Sequence, residues 1–234
     1  MRVYAIADPH LSGASPKPMD VFGGNWEGHP DAFFDGWRST VTDEDLVLVP
    51  GDISWATKLD DALADLQAIA ALPGEKVLLR GNHDYWWPSI SKLRRALPPS
   101  MHALQNDALE FGGVVVAGTR GWTCPGAVEF SEQDERIYRR ELERLKLSLA
   151  AAEKLGGETL IVMLHFPPTN PRQEPSGFTE LVRQAGADVL VFGHLHGEEG
   201  GRRLEELNGT AVHFVSADAL RFRPKLVWET RQSR

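Results

Sequence analysis

Residues 76–87 read KVLLRGNHDYWW, an apolar run that opens directly onto an amide, an imidazole, a carboxylate and three aromatic rings. Reversing the chain at such a point needs only Gly or Asn. Asn82, His83 and Asp84 therefore carry more polar chemistry than a turn requires. The run that leads into them, Glu75–Leu79, has the short apolar pattern of a strand buried on both faces, as in a parallel sheet. What the polar residues do depends on what stands at the ends of the neighbouring strands.

The same pattern recurs along the chain. Arg2–Ala7 reads as a strand that ends in Asp8-Pro9-His10, and Asp45–Val49 as one stopped by Pro50-Gly51 ahead of Asp52. Thr159–Leu164 ends in His165, and Asp188–Phe192 ends in Gly193-His194-Leu195-His196. Helical patterns lie between: Asp31–Val41, a short segment over 88–97, residues 177–186, and Lys58–Leu72 with Leu59, Leu63, Leu66 and Ile69 at three-to-four spacing. Ser131–Leu155 is the clearest helix. Ser131 caps it, Ile137, Leu142, Leu145, Leu149 and Ala152 form its buried stripe, and Gly156-Gly157 ends it. Glu110–Gly118 reads as one further strand, Arg203–Leu207 and Thr210–Ser216 as a hairpin around Asn208-Gly209, and Lys225–Trp228 as the last strand. The alternation predicts an α/β fold whose early strands are parallel and whose later strands are antiparallel, in a two-layered sheet core with helices outside. Residues 12–30 are rich in Gly, Pro and Ser and form a long loop, a kind that is more often functional than idle.

The 234 residues fit one domain over 1–234, and the 42% hydrophobic and 25% charged fractions are those of an ordinary globular chain. A single cysteine, Cys124, excludes both an internal disulfide and a cysteine-based zinc site. The N-terminal apolar run is broken by Asp8 too early for a signal peptide, and no stretch approaches the ~18 apolar residues of a membrane helix. These features together predict a cytoplasmic protein. The net charge of −8 disfavours duplex nucleic acid as a partner, because a duplex requires a basic face.

Five strand ends thus release potential metal ligands or proton carriers on the edge where α/β sheets bind ligands. Singly they say little: Gly-Asp after a strand is usually a turn, and a lone His there is commonly structural. Their occurrence together, in order, is what points to a site. Two divalent ions ~3.5–4 Å apart need one carboxylate able to bridge them and imidazole or oxygen donors around it. A mixed nitrogen and oxygen set without thiolate suits Mn, Fe or Zn better than Ca or Mg and does not choose among the three; Mn is the first expectation.

The run Asp8-x-His10, Gly51-Asp52, Gly81-Asn82-His83-Asp84, His165 and Gly193-His194-x-His196 resembles the calcineurin-like metallophosphoesterase superfamily over residues 8 to 196, with every part of the motif present. The loop after His10 and the extension Asp84–Trp87 are similar to a bacterial subgroup of predicted phosphohydrolases. The resemblance implies a four-layer αββα sandwich, in which two mixed β-sheets pack face to face between helices. It implies Asp8, His10 and His196 on one ion, Asn82, His165 and His194 on the other, and Asp52 bridging. The reaction implied is hydrolysis of a phosphomonoester or phosphodiester of a small substrate, by in-line attack of a hydroxide shared between the ions. His83 would protonate the leaving oxygen, and Asp84 would accept a hydrogen bond from the other nitrogen of that ring. A helix cap or turn residue is the alternative role for Asp84.

Around this set, Trp26, Trp55, Trp86, Trp87 and Trp122 fall on metal-side loops, either to stack on a base and exclude water or to anchor the loops by packing. Trp86, Arg120 and Arg172 are the candidate substrate residues. Each arginine follows a strand end on the same edge and suits a phosphate clamp, with solvated surface arginine the alternative. Lys17, Asp20 and His29 are candidates for a lid, while His102 and His213 read as structural. Two other function classes compete: a protein-binding scaffold that keeps the fold, and a nuclease on single-stranded nucleic acid. The complete ligand set and His83 count against a scaffold, and the acidic balance counts against a nuclease. Oligomeric state is not specified by the sequence.

Overall fold

The computed structural model describes residues 1–14, 16–197 and 204–230. In chain order the strands are β1 (Arg2–Ala5), β2 (Leu46–Pro50), β3 (Glu75–Leu79), β4 (Met101–Ala103), β5 (Ala108–Phe111), β6 (Val114–Thr119), β7 (Thr159–Leu164), β8 (Val189–Phe192), β9 (Glu206–Leu207), β10 (Thr210–Phe214) and β11 (Lys225–Glu229). They form two mixed sheets, ordered β11-β1-β2-β3-β4 and β5-β6-β7-β8-β10-β9. The helices are α1 (His29–Arg38), α2 (Leu59–Ala70), α3 (Ile90–Ala96), α4 (Glu132–Leu155) and α5 (Gly177–Gln184).

Strand alternation sorts the apolar residues into layers. Val3, Ala5, Leu46, Leu48 and Val77 of the first sheet meet Val114, Val116, Ile161, Met163, Val189 and Val191 of the second in one buried cluster. The opposite face of the first sheet, with Tyr4, Val47, Val49 and Leu78, packs on Phe33 and Trp37 of α1, Leu66 and Ile69 of α2, and Leu93 of α3. The outer face of the second sheet, with Val162, Leu164, Leu190 and Phe192, packs on Tyr138 and Leu145 of α4 and on Phe178 and Val182 of α5. The order is therefore helix, sheet, sheet, helix, the αββα sandwich. Each fully buried Val or Leu contributes about 1.5–3 kcal/mol to holding the layers together.

Three features differ from the sequence expectation, each for a physical reason. The expected single strand Glu110–Gly118 is a hairpin, β5–β6, turning at Gly112-Gly113, where both residues have positive φ (56° and 89°). That turn type requires φ > 0 at both central positions, which two glycines supply. The later strands are not antiparallel as a group. β6, β7, β8 and β10 run parallel, and among the described residues only the edge strands β5, β9 and β11 run against their neighbours. Asn208-Gly209 does turn β9 into β10 (φ 50° and 93°), while Arg203 lies outside the described residues. Finally, α4 buries Tyr138, Glu141, Leu145, Ser148 and Ala152, so its inner face is rotated from the apolar stripe that includes Ile137. Polar side chains set that face: Glu141 accepts from the Thr119 hydroxyl (2.6 Å), and Ser148 both accepts from the Gly118 N–H (2.8 Å) and donates to the Asp107 carbonyl (2.6 Å). Its ends are as expected, with a capping box between Ser131 and Asp134 and a left-handed Gly156 at the stop.

Candidate metal centre

The C-terminal ends of β1, β2, β3, β7 and β8 meet on one edge, and short backbone bonds fix their relative heights. Asp8 N–H donates to the Gly51 carbonyl (3.0 Å), His10 N–H to that of Asp52 (3.1 Å), and Gly193 N–H to that of His165 (3.1 Å). Four of the predicted ligands sit in the left-handed region: Asp8 (φ 58°), His10 (45°), Asp52 (53°) and His194 (74°). Non-glycine residues are uncommon there, and such conformations cluster at functional sites. Glycines just past β2 and β3 make room for candidate ligands from other strands. A methyl group on Gly51 would come within 2.7 Å of His165 Nδ1, and one on Gly81 would overlap the Asp52 carboxylate. The Gly-Asp and Gly-Asn-His pairs are therefore one packing solution read from two strands.

The side chains converge in two groups. The ligand atoms of Asp8, His10 and His196 all lie within 4.8 Å of one another, as do those of Asp52, His165 and His194. Asp52 stands between them, with Oδ2 at 3.9 Å from His10 Nε2 and 3.5 Å from His165 Nε2. Asn82 joins the second group, its Oδ1 at 2.7 Å from His165 Nε2. Five of the chain's eight histidines, His10, His83, His165, His194 and His196, gather at this edge.

Donor chemistry fits a pair of cations. His10 Nε2 and His196 Nε2 face each other at 3.4 Å, and Asp8 Oδ1 and His10 Nδ1 are buried with no hydrogen-bond partner among the described residues. Burial drives both His10 and His194 down to about 3, so their rings are neutral and carry free lone pairs. Burial opposes the charge on His165 too, but Asp52 and Asp8 outweigh it and raise that ring to about 9. Asp52 is pulled below the usual carboxylate range, with His165 and His10 overcoming the effect of burial. The centre is balanced only with positive charge among its carboxylates, from a proton or from a metal cation.

The family model of the calcineurin-like phosphoesterases matches residues 1–198. The chain belongs to that family. No curated protein matches it. Among solved structures, a phosphopantetheinyl hydrolase (PptH) from Mycobacterium tuberculosis is similar at 13% identity and a TM-score of 0.59, covering 100% of this chain and 98% of its own. TT1561 of Thermus thermophilus is similar at 16% identity and a TM-score of 0.52, covering 90% and 87%. At such identities the likeness speaks to the fold.

Several contacts of this phosphoesterase lie behind the ligands. His165 Nδ1 donates to the Pro50 carbonyl (2.9 Å), which turns Nε2 toward the centre. Asp218 accepts from His196 Nδ1 (3.1 Å) and from the Gly197 N–H (2.9 Å), orienting the second ring in the same way. Asp8 Oδ2 accepts from Ser216 Oγ (2.7 Å) and the His194 N–H (2.9 Å). Ser216 and Asp218 were not anticipated. They follow β10, whose parallel direction brings its C-terminal end to the metal edge.

Asp84 departs from expectation. Neither of its oxygens bonds the His83 ring. Oδ1 accepts the N–H groups of Ile53 (2.9 Å) and Ser54 (3.3 Å) and the Trp86 indole (2.9 Å), while Oδ2 accepts those of Asp52 (2.9 Å) and Gly81 (2.8 Å). Burial and the nearby Asp52 raise it to about 6, against the pull of these donors. It staples the β2 and β3 loops together. His83 keeps an open ring: its backbone N–H donates to Asp52 Oδ1 (2.8 Å), and the imidazole lies 4.8 Å from Trp55 and 5.9 Å from His10.

The outer candidates divide. Trp86 is 2% exposed and bound to Asp84, which makes it a packing anchor and removes it from the substrate residues; Trp87 is likewise buried. Trp26 packs on His10 and His196. Trp55 stacks on His10 at 4.8 Å, and Lys17 Nζ lies 4.3 Å from the centre of the Trp55 ring. The His29 ring lies between the carbonyls of Trp26 (3.2 Å) and His10 (3.4 Å) and donates to one of them, tying the long loop to the candidate ligand it follows. Arg172 is exposed and forms a two-point pair with Glu174, so it is no free phosphate clamp. Arg120 pairs loosely with Glu141 at 3.5 Å and lies over the Trp122 ring. Among the described residues no helix is long and apolar enough to cross a membrane.

Proposed function

We propose that this phosphoesterase hydrolyses a phosphomonoester or phosphodiester of a small substrate at the edge built by Asp8, His10, Asp52, Asn82, His165, His194 and His196. Two divalent ions, of Mn, Fe or Zn with Mn first, would supply there an activated water and charge neutralisation for the phosphoryl oxygens. Asp8, His10 and His196 would hold one ion and Asn82, His165 and His194 the other, with Asp52 shared. His165 and His196 are turned toward the centre by Pro50 and Asp218, so their donor nitrogens need no rearrangement to bind. His83 stands beside this set, its ring nitrogens without a hydrogen bond among the described residues, and would give a proton to the departing oxygen. Trp26 and Trp55 cover the first group and exclude water from that side.

The observation that carries the reading is the convergence of the two donor groups on either side of one carboxylate, with an uncommitted imidazole next to them. The test combines elemental analysis of purified protein with a substrate panel in Mn: an aryl monoester, an aryl diester, cyclic nucleotides and a single-stranded oligonucleotide. About two equivalents of metal and turnover of a small ester are expected. Bound metal with no turnover of any ester would overturn the proposal and favour a scaffold.

A further inference from the structure

Three arginines gather around one carboxylate beside the candidate metal centre, and a fourth, Arg80, adds its charge next to one of them, Arg120. Glu141 is fully buried, and its Oε1 is approached by Arg144 Nη1 at 2.8 Å, Arg120 Nη2 at 3.5 Å and Arg140 Nε at 3.7 Å. Only the first is a hydrogen bond, and the other oxygen is taken by the Thr119 hydroxyl. Arg120 Nε is buried without a hydrogen-bond partner among the described residues. Arg120 itself is held below its usual proton affinity, first by burial and then by Arg80, Arg140 and Arg144, with Glu141 opposing. Three cations thus share one anion, with Arg80 adding to the repulsion on Arg120, in a chain whose net charge is −8. Guanidinium groups at such range repel, and spare donors in a part-buried site are satisfied when another anion joins them.

The cluster is joined to the second donor group. Arg80 precedes Gly81-Asn82 directly and donates to the Asp84 carbonyl (3.3 Å), while the Arg120 carbonyl accepts the N–H of His165 (3.0 Å). Arg120 forms the floor at 16% side-chain exposure, and Arg140 and Arg144 form an open rim at 54% and 40%. We propose that Arg80, Arg120, Arg140 and Arg144 form a second anion subsite, which takes a phosphoryl group of the substrate other than the one hydrolysed. Several forked, fixed donors match the three oxygens and double charge of a phosphate better than a single carboxylate. The substrate class is then a small organic molecule with two phosphoryl groups, such as a nucleoside bisphosphate. This deepens the phosphoesterase reading and rests on it for the reaction, but not for the binding.

Two measurements keep the claims apart. Inorganic pyrophosphate is titrated into EDTA-treated protein at low salt, comparing wild type with the Arg140→Ala/Arg144→Ala variant, whose changes lie on the exposed rim. Wild type is expected to bind with Kd below about 1 mM and the variant at least about tenfold more weakly. No binding by wild type, or equal binding by both, overturns the subsite. In Mn, the same pair is compared on an aryl monoester and a nucleoside 3′,5′-bisphosphate. The variant is expected to raise KM about tenfold for the bisphosphate alone, with kcat kept; parallel losses on both substrates would make the arginines structural and overturn the proposal. Silence of wild type toward both esters would strike the hydrolytic reading, while the pyrophosphate titration still decides the subsite.

Discussion

The His83 ring lies 4.8 Å from Trp55 and 6.2 Å from Tyr85, and among the described residues its hydrogen bonds are made by the backbone alone, the N–H to Asp52 and the carbonyl from the Tyr85 N–H. That position suits a proton donor and does not suit a ligand. His83→Ala is therefore expected to lower kcat by about 10²–10³-fold on an alkyl phosphoester, and by less on an aryl ester whose leaving oxygen needs no proton. Metal content by elemental analysis should stay at the wild-type level; loss of metal in that variant would move His83 into the coordination set. Asp84 calls for the opposite signature. Its two oxygens hold five N–H groups, so Asp84→Asn turns an acceptor into a donor facing donors. A loss of about 2–4 kcal/mol in stability is expected, read as a lower denaturant midpoint, because buried N–H groups are left unpaired. If the variant keeps wild-type stability and loses only turnover, Asp84 acts on chemistry and its stapling role is wrong.

At the scale of strands and loops, much of this candidate site was legible because polar residues placed at strand ends leave a linear trace. Gly-Asp, Gly-Asn-His and His-x-His each follow an apolar run, and the folded chain brings all of these segments together. What was not legible depended on direction. β10 reads as the second arm of a hairpin, and Asn208-Gly209 does turn it, but its partner on the other side is the parallel β8. Nothing in local periodicity reports that second pairing, so nothing in the sequence placed Ser216 and Asp218 at the metal edge. The inner face of α4 was hidden for a related reason: Glu141 and Ser148 are buried by hydrogen bonds, which apolar spacing does not record. Asp84 was misassigned because sequence adjacency to His83 does not show which way a carboxylate turns. The role of β10 makes its own prediction. Burial opposes the charge on Asp218, yet its bonds to His196 and Gly197 hold it below the usual carboxylate range. Asp218→Asn keeps an acceptor for His196 and turns a donor toward the Gly197 N–H, so it should fold with a modest loss of about 1–2 kcal/mol and weaken metal binding about 10–100-fold as the ring loses its anionic partner. Unchanged affinity in a competition titration against a chelator would remove β10 from the centre.

Across the whole molecule, the metal edge is where both sheets and both halves of the chain are joined. Asp8 and Asp52 come from the first sheet, His165 and His194 from the second, and the ends of all four strands are closed by the same few contacts. The interior they share is apolar and strongly packed, and of the carboxylates buried at its rim Asp8 is the least compensated: among the described residues its Oδ1 has no hydrogen-bond partner, and burial raises it to about 6. A cation that binds only this assembled edge stabilises the folded chain by mass action, about 4 kcal/mol when present at a thousandfold excess over its Kd. For a domain of this size each kcal/mol is worth ~2–4 °C, so Mn added to EDTA-treated protein should raise Tm by about 10 °C. Asp52→Asn removes the carboxylate shared by the two donor groups, and in that variant the shift should fall to roughly a third or less, along with the metal content. An equal Mn-dependent rise in wild type and Asp52→Asn would show that the ions bind somewhere other than between these two sheets.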